Sequence, residues 1–424
     1  MSWMGLCSRI SNEVAAVSAQ RVRPLPEFFS GVGLMIIIGI DIGKFRHQAI
    51  AMDEQGKSLC PSFAFENTDE GFTFLLKRLS PFQEKDCICV GMEATGHYWL
   101  NLYFALLDLG MVVHVINPIQ TDAVRRINIR KTKTDSVDCK YVAEVIRIGN
   151  FSDYHVQTKE IQQLKQLCRF RYGLVDEMVM LKNRTIGILD IIFPEYSTLF
   201  SNVFGVTSLA LLKKYTSPEE ILKVPTKRLA DLLSKNSRGR FGEEKALEIK
   251  AACKRSVGLM DNTFAFIYQL RMTIQLIDYM GQQLEDVEKQ IEALYSSCDC
   301  YLHTIIGVGI TTAAVIYAEV GNIDNFDSPK KLVAYAGMDP SRKQSGNYES
   351  THNSMSKRGS TYLRRAVWNA AVVAAQKDPA LNAFYLKKRD EGKNYMTTIG
   401  GVSHKLLNIV FAVMRDNKPY FPRV

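Results

Sequence analysis

The run Met35-Ile36-Ile37-Ile38-Gly39-Ile40-Asp41-Ile42-Gly43-Lys44 constrains this chain more than any other stretch. A short β-branched run bounded by glycine reads as a strand buried on both faces. A carboxylate at the end of such a strand costs stability unless it has a partner such as a metal ion. Asp41 is therefore a candidate metal ligand at the centre of a sheet. The pattern that follows predicts strands over 35–42, 47–52 and 60–65, forming an antiparallel meander. A helix over 69–79 comes next, closed by Pro81. A second buried strand, 87–93, again ends in a carboxylate, Glu93. A helix over 97–109 and a strand over 111–116, stopped by Asn117-Pro118, complete the series.

The order βββαβαβα is that of the ribonuclease H-like fold. In open α/β sheets functional groups gather at strand ends, where Asp41 and Glu93 fall. A basic loop then runs from Arg125 and Arg126 through Arg130, Lys131 and Lys133. It leads to Thr134, which can cap a helix whose first turn carries Asp135 and Asp138. Spacing of three puts both acids on one face, where they repel unless a cation lies between them. Taken alone, this pair reads equally well as an ordinary complement to the helix dipole. Beside Asp41 and Glu93 in one fold, the pair reads as part of a metal-binding cluster.

With 424 residues and 46% hydrophobic content, the chain can bury a large core and suits two or three domains. Fifty-three Lys and Arg against 44 Asp and Glu give a net charge of +9, which suits a polyanionic partner where the charge is clustered. The nine cysteines show neither zinc-site spacing nor a disulfide framework, so reduced thiols are expected. The apolar runs read as too short to span a bilayer, and residues 1–34 lack the pattern of a signal peptide. Those residues read as an N-terminal extension, poorly ordered or upstream of a true start at Met35. The catalytic α/β domain is expected over 35–155.

Residues 156–297 are expected to be a helical coiled-coil region. Leu164, Leu167, Leu174, Met178, Leu181 and Ile188 recur at threes and fours, as do Ile267, Leu270, Ile274, Ile277, Leu284, Ile291 and Leu294. The two runs could pair within one chain or between chains. Residues 298–424 form the mainly helical C-terminal domain. In Ile305-Ile306-Gly307-Val308-Gly309-Ile310 a Gly-x-Gly turn between helices has the layout of a helix-hairpin-helix. Backbone N–H groups there can hold a phosphate, although an ordinary helix turn fits as well. Further on, Ser341-Arg342-Lys343-Gln344-Ser345-Gly346 and Lys357-Arg358-Gly359-Ser360-Thr361-Tyr362-Leu363-Arg364 are basic and suit phosphate contact. A serine among cations is well placed as a nucleophile. A plain turn residue is the ordinary alternative for Ser345.

The chain resembles the DEDD transposases of the insertion-sequence 110 and 1111 group, from Met35 to about Arg415. The motifs come in that family's order: IGIDIGK, GMEATGHYW, KTDSVDCKYVAE, IIGVGITTA, AGMDPSRKQSG and SKRGSTYLRR. One departure is Cys139, where the family usually has Ala. The resemblance implies a RuvC-like domain in which Asp41, Glu93, Asp135 and Asp138 bind magnesium, or manganese in its place. It also implies that Ser345 becomes covalently attached to DNA, in a site joining the carboxylates of one domain with the serine of another. Implied partners are donor and target DNA, a bridge RNA that guides target choice, and further copies of the chain in a dimer or tetramer, with no membrane. Nucleic acid would lie against Arg125, Arg126, Arg130, Lys131, Lys133, Gly307, Gly309, Arg342, Lys343, Lys357, Arg358 and Arg364. The protein is expected in the bacterial cytoplasm, at the nucleoid when active.

Three other readings compete. A RuvC-type junction endonuclease shares the carboxylates but needs neither Ser345 nor so long a second half. An actin-like kinase would need a second phosphate loop that the sequence lacks. A non-catalytic nucleic-acid binder would leave the four acids unexplained.

Overall fold

The computed structural model describes residues 35–83, 87–94, 96–116, 118–127, 135–149, 151, 158–259, 263–341, 344–345, 348–349 and 354–422. The expectation for residues 1–34 lies outside them. The chain divides into two compact units, Met1–Val156 and Gln157–Val424.

The first unit is built from β1 (Met35–Asp41), β2 (Arg46–Met52), β3 (Phe63–Glu66), α1 (Asp69–Gln83), β4 (Cys87–Glu93), α2 (Trp99–Asp108), β5 (Val112–Ile116), α3 (Pro118–Ile127) and α4 (Asp135–Ile148). Its sheet has the order β3-β2-β1-β4-β5. β1, β2 and β3 form the antiparallel meander, while β4 and β5 continue parallel to β1. Both faces are covered, as the unbroken apolar runs require. Ile36, Ile38 and Ile40 pack with Leu75 and Leu79 of α1 and Leu102 and Leu106 of α2. Ile37 and Cys89 pack on the other face with Val142, Ala143 and Ile146 of α4.

Two sequence expectations need correction here. α1 does not stop before Pro81 but carries it in its last turn. Proline lacks the N–H that would bond the carbonyl four residues back. The Ser80 hydroxyl donates to that carbonyl, Lys77 O, at 2.9 Å instead, and the helix continues. Arg125 and Arg126 are likewise not in a loop. Pro118 stops β5 and also opens α3, because its fixed φ suits a first helical turn. The rest of the expected basic loop, including Arg130, Lys131 and Lys133, lies outside the described residues.

The second unit starts with α5 (Lys159–Ile192), followed by α6 (Tyr196–Leu199), α7 (Val206–Lys214), α8 (Pro218–Lys223), α9 (Thr226–Ser237), α10 (Glu243–Lys254) and α11 (Phe264–Ser296). α5 and α11 lie side by side within the chain and run antiparallel, with Arg171 Nη2 donating to Glu288 Oε1 at 2.7 Å. Ile188, Leu189 and Ile192 join Leu270 and Ile274 in a core shared with α7 to α10. At the opposite end, Leu164, Cys168 and Tyr172 join Ile291 and Tyr295 in a core shared with the C-terminal helices. Between these cores, Leu174, Met178, Leu181 and Leu284 are only partly buried, so the seam there is a ribbon of two helices.

The remainder comprises α12 (Ile310–Val320), α13 (Pro329–Tyr335), the short β6 (Gln344–Ser345) and β7 (Tyr348–Glu349), α14 (Thr361–Lys377), α15 (Pro379–Asp390) and α16 (Tyr395–Asp416). α16 corrects the bilayer expectation, since its 22 residues are long and apolar enough to cross one. Its apolar side, including Val402, Leu406, Leu407 and Val410, is buried in the core of this unit. Ahead of α12, the first of the two expected hairpin helices is a single 3-10 turn, Leu302–Thr304.

Candidate active site

β1 and β4 pair in parallel with Gly39 opposite Gly91 and Ile40 opposite Met92. One step further along each strand stand Asp41 and Glu93. Side chains alternate along a strand, so the two acids share the face of the two glycines. That face is the one α4 covers. A Cβ on Gly39 would fall 2.1 Å from Cys139 O, and one on Gly91 would fall 2.7 Å from Ile146 Cδ1. The bare glycines thus let α4 lie directly on the sheet. Its N-terminal half, with Asp138, is brought to the side of the strand ends.

The electrostatics agree with that placement. Cys139 is fully buried, and its thiol is pushed up to about 12 by burial and by the negative charge of Asp41, with a smaller push from Asp138. Asp138 is itself buried, and its Oδ1 accepts from Arg125 Nη2 at 2.8 Å. Burial works against the Arg125 guanidinium. The carboxylates of Asp138, Asp122 and Glu93 outweigh it and hold the group above the ordinary arginine range. Glu93 also accepts from the Thr121 hydroxyl, Oγ1 to Oε2 2.9 Å. On the neighbouring strand Gln48 pairs directly with Asp41, and a cavity at the end of β1 is lined by Asp41, Gly43, Arg46, His47 and Gln48.

Asp41, Glu93 and Asp138 are therefore grouped around α3 and α4. Asp135 lies in the first turn of α4, but its side chain is outside the described residues. Among the described residues no three His, Cys, Asp or Glu side chains converge tightly enough to hold an ion. Instead a guanidinium supplies the positive charge. Among the described residues, Arg125 Nε is buried there without an acceptor. An all-oxygen donor set of carboxylates fits a hard divalent cation better than zinc or copper.

Sequence reasoning missed Thr121 and Arg125 as partners of the acids. Once Pro118 is taken as a helix start, their spacing of four places them on one face.

In the second unit, β6 and β7 form a small hairpin, with Ser345 opposite Tyr348. The side chain of Ser345 and all of Arg342 and Lys343 are outside the described residues. A bridge between Pro340 and Met355 lies below the hairpin. Ser341 Oγ donates to Ser354 O at 2.8 Å, so that hydroxyl is engaged at the base. Lys357 and Arg358 are exposed. Arg364 faces inward, its Nη1 donating to Ala336 O at 3.1 Å. Gly309 caps α12 and is open to solvent, whereas Gly307 has φ +94° and lies against Ala370 and Ala374 of α14.

Residues 38–194 match the family model of the DEDD transposases of IS110, described as "Transposase", and residues 299–386 match "Transposase IS116/IS110/IS902 family". The "Pilin gene-inverting protein" of Moraxella lacunata is 33% identical over 389 residues, spanning 91% of this chain and 98% of that protein. The "Transposase for insertion sequence element IS1111A" of Coxiella burnetii is 24% identical, spanning 91% of each chain. A solved structure, "T. thermophilus RuvC in complex with Holliday junction substrate", aligns with 28% of this chain and 99% of that one, at 14% identity and a TM-score of 0.21.

Proposed function

The chain belongs to the IS110 family of transposases, and from that premise we propose that it cuts and rejoins DNA with a metal-bound cluster of Asp41, Glu93, Asp135 and Asp138 and with Ser345 as nucleophile, guided by an RNA. The observation that carries this reading is the pair of central strands ending in Asp41 and Glu93, with α4 laid across their glycines. Divalent ions, when bound, stabilise charge on the attacking and leaving oxygens of phosphoryl transfer. The chain's own part is to bring the four acids together and to present the serine. The Ser345 hydroxyl gives up its proton and its oxygen bonds to the scissile phosphorus. The bond from phosphorus to the leaving deoxyribose oxygen breaks, and that oxygen takes up a proton. One DNA end is then joined to the protein. Ser341 is a poorer candidate because its hydroxyl is already committed to Ser354.

Copies of the chain associate through α11, whose Phe264, Tyr268, Met272, Leu276 and Tyr279 form one exposed apolar stripe at spacings of four, four, four and three. Exposed cations such as Lys357 and Arg358 contact phosphates, and target choice falls to base pairing with the RNA.

Three experiments test this reading. Asp138→Asn is expected to abolish strand transfer while leaving RNA binding intact, and Ser345→Ala to prevent the covalent adduct with DNA. Full transfer by Asp138→Asn refutes the metal cluster, and an adduct formed by Ser345→Ala refutes the serine. RNA co-purified from cells carrying the whole element should contain a discrete species from its noncoding flank, and absence of any enriched RNA rules out guidance.

A further inference from the structure

Glu319 is an acid in an otherwise apolar helix, α12, and only 1% of it is exposed. A buried carboxylate persists only where partners offset its lost hydration. Arg169 of α5 clamps it with two bonds, Nε to Oε1 at 2.7 Å and Nη2 to Oε2 at 3.1 Å. Lys165 Nζ, also buried, lies 3.9 Å from Oε2. The third partner is Ser360, whose hydroxyl donates to Oε2 at 2.9 Å. In addition, the backbone carbonyl of Glu319 accepts from the Tyr335 hydroxyl at 3.2 Å.

Tyr335 and Ser360 are the two legs of one neck. The chain leaves α13 at Tyr335, runs out to the β6–β7 hairpin that carries Ser345, and returns to α14 at Ser360. Across the neck, Ser360 N donates to Tyr335 O at 3.0 Å, Lys357 N to Gly337 O at 2.9 Å, Ser356 N to Asp339 O at 2.9 Å and Ser341 N to Ser354 O at 2.8 Å. We infer that Glu319 is the positioning residue of the serine hairpin, pinning both legs of its neck to the base of α5. This rests on the reading of Ser345 as nucleophile. Arg169 also lies over the Tyr362 ring, 4.8 Å to its centroid, so α5 grips the returning leg twice. The direction in which the hairpin projects is then set by the long helix that also forms half of the helical ribbon.

Ser360 caps α14 as well, accepting from Leu363 N at 3.1 Å, so its variants separate capping from positioning. Asp is as good a cap as Ser, but Ser360→Asp sets a second carboxylate against Glu319. Ser360→Thr keeps the hydroxyl. In the full-length protein, amide hydrogen exchange is read at Ser341, Ser356, Lys357 and Ser360, and excision of a plasmid-borne element is read in cells. In Ser360→Asp and Glu319→Gln the neck amides are expected to exchange about tenfold faster, the change set by one lost charged hydrogen bond, while amides inside α12 and α14 keep their rates. Excision falls in parallel, and Ser360→Thr matches the parent in both measurements. Neck amides at the parent rate in Ser360→Asp overturn the inference. So does full excision with a loosened neck, provided Ser345→Ala abolishes excision in the same assay. If Ser345→Ala excises normally, the serine reading falls instead, and the exchange rates alone decide the hold of Glu319 on the neck.

Discussion

Gly39 and Gly91 face each other across β1 and β4, and the helix lying on them leaves no room for a methyl group at either. The neighbours differ in how far they can yield. At Gly39 an added Cβ meets backbone, Cys139 O at 2.1 Å and Ala143 N at 2.6 Å; at Gly91 it meets the tip of Ile146 at 2.7 Å. Gly39→Ala must push α4 off the sheet, so an expected loss of about 3 kcal/mol follows, together with separation of Asp138 from the strand ends. Gly91→Ala needs a rotamer change of Ile146 and a small shift of Val142, whose Cγ1 lies 3.3 Å from the added carbon, and about 1 kcal/mol is expected. Thermal unfolding of the two variants checks the order; equal losses refute the account of α4 packing.

Arg125 and Asp138 supply the second prediction. Arg125→Gln removes the donor from a mostly buried carboxylate, its side chain 11% exposed, and is expected to cost about 2 kcal/mol without metal. With the guanidinium gone, the same acids attract a divalent cation more strongly. The unfolding temperature of Arg125→Gln should therefore climb more steeply with magnesium than that of the parent. A variant that loses stability and gains none of it back with magnesium argues against a cation site at these acids.

Much of this site is legible in the sequence because two apolar runs each end on an acid, and a run buried on both faces has little freedom of placement. The meander and the parallel strands follow from the same runs. Three features were less legible for separate physical reasons. Pro81 signals a helix stop, but the Ser80 hydroxyl replaces the missing donor. Pro118, which signals a strand stop, also starts a helix, which hid the face shared by Thr121 and Arg125. Glu319 could have been noticed as a lone acid in the run Ala313-Ala314-Val315-Ile316-Tyr317-Ala318-Glu319-Val320. Its partners, Arg169 and Ser360, lie 150 and 41 residues away, and no local pattern points to them.

The buried thiols give a prediction with a definite sign. Burial pushes Cys139, Cys168 and Cys253 each up to about 12, with help from Asp41 at the first, Glu319 at the second and Glu195 at the third. An unfolded cysteine ionises near 8.5. Below that pH both states hold their thiol protons and stability is unaffected. As pH rises from about 9 toward 12, the unfolded chain loses these protons while the folded chain keeps them, so stability falls. Denaturation midpoints measured between pH 8 and pH 11 should decline accordingly. Cys139→Ala, which removes the titrating thiol and keeps the residue small, should make the decline shallower without changing stability at pH 8 by more than about 1 kcal/mol. Alkylation of the native protein at pH 8, followed by mass spectrometry, should mark the half-buried Cys60 and spare Cys139, Cys168 and Cys253. Rapid labelling of Cys139 under those conditions shows that α4 lifts from the sheet, which the packing on Gly39 forbids.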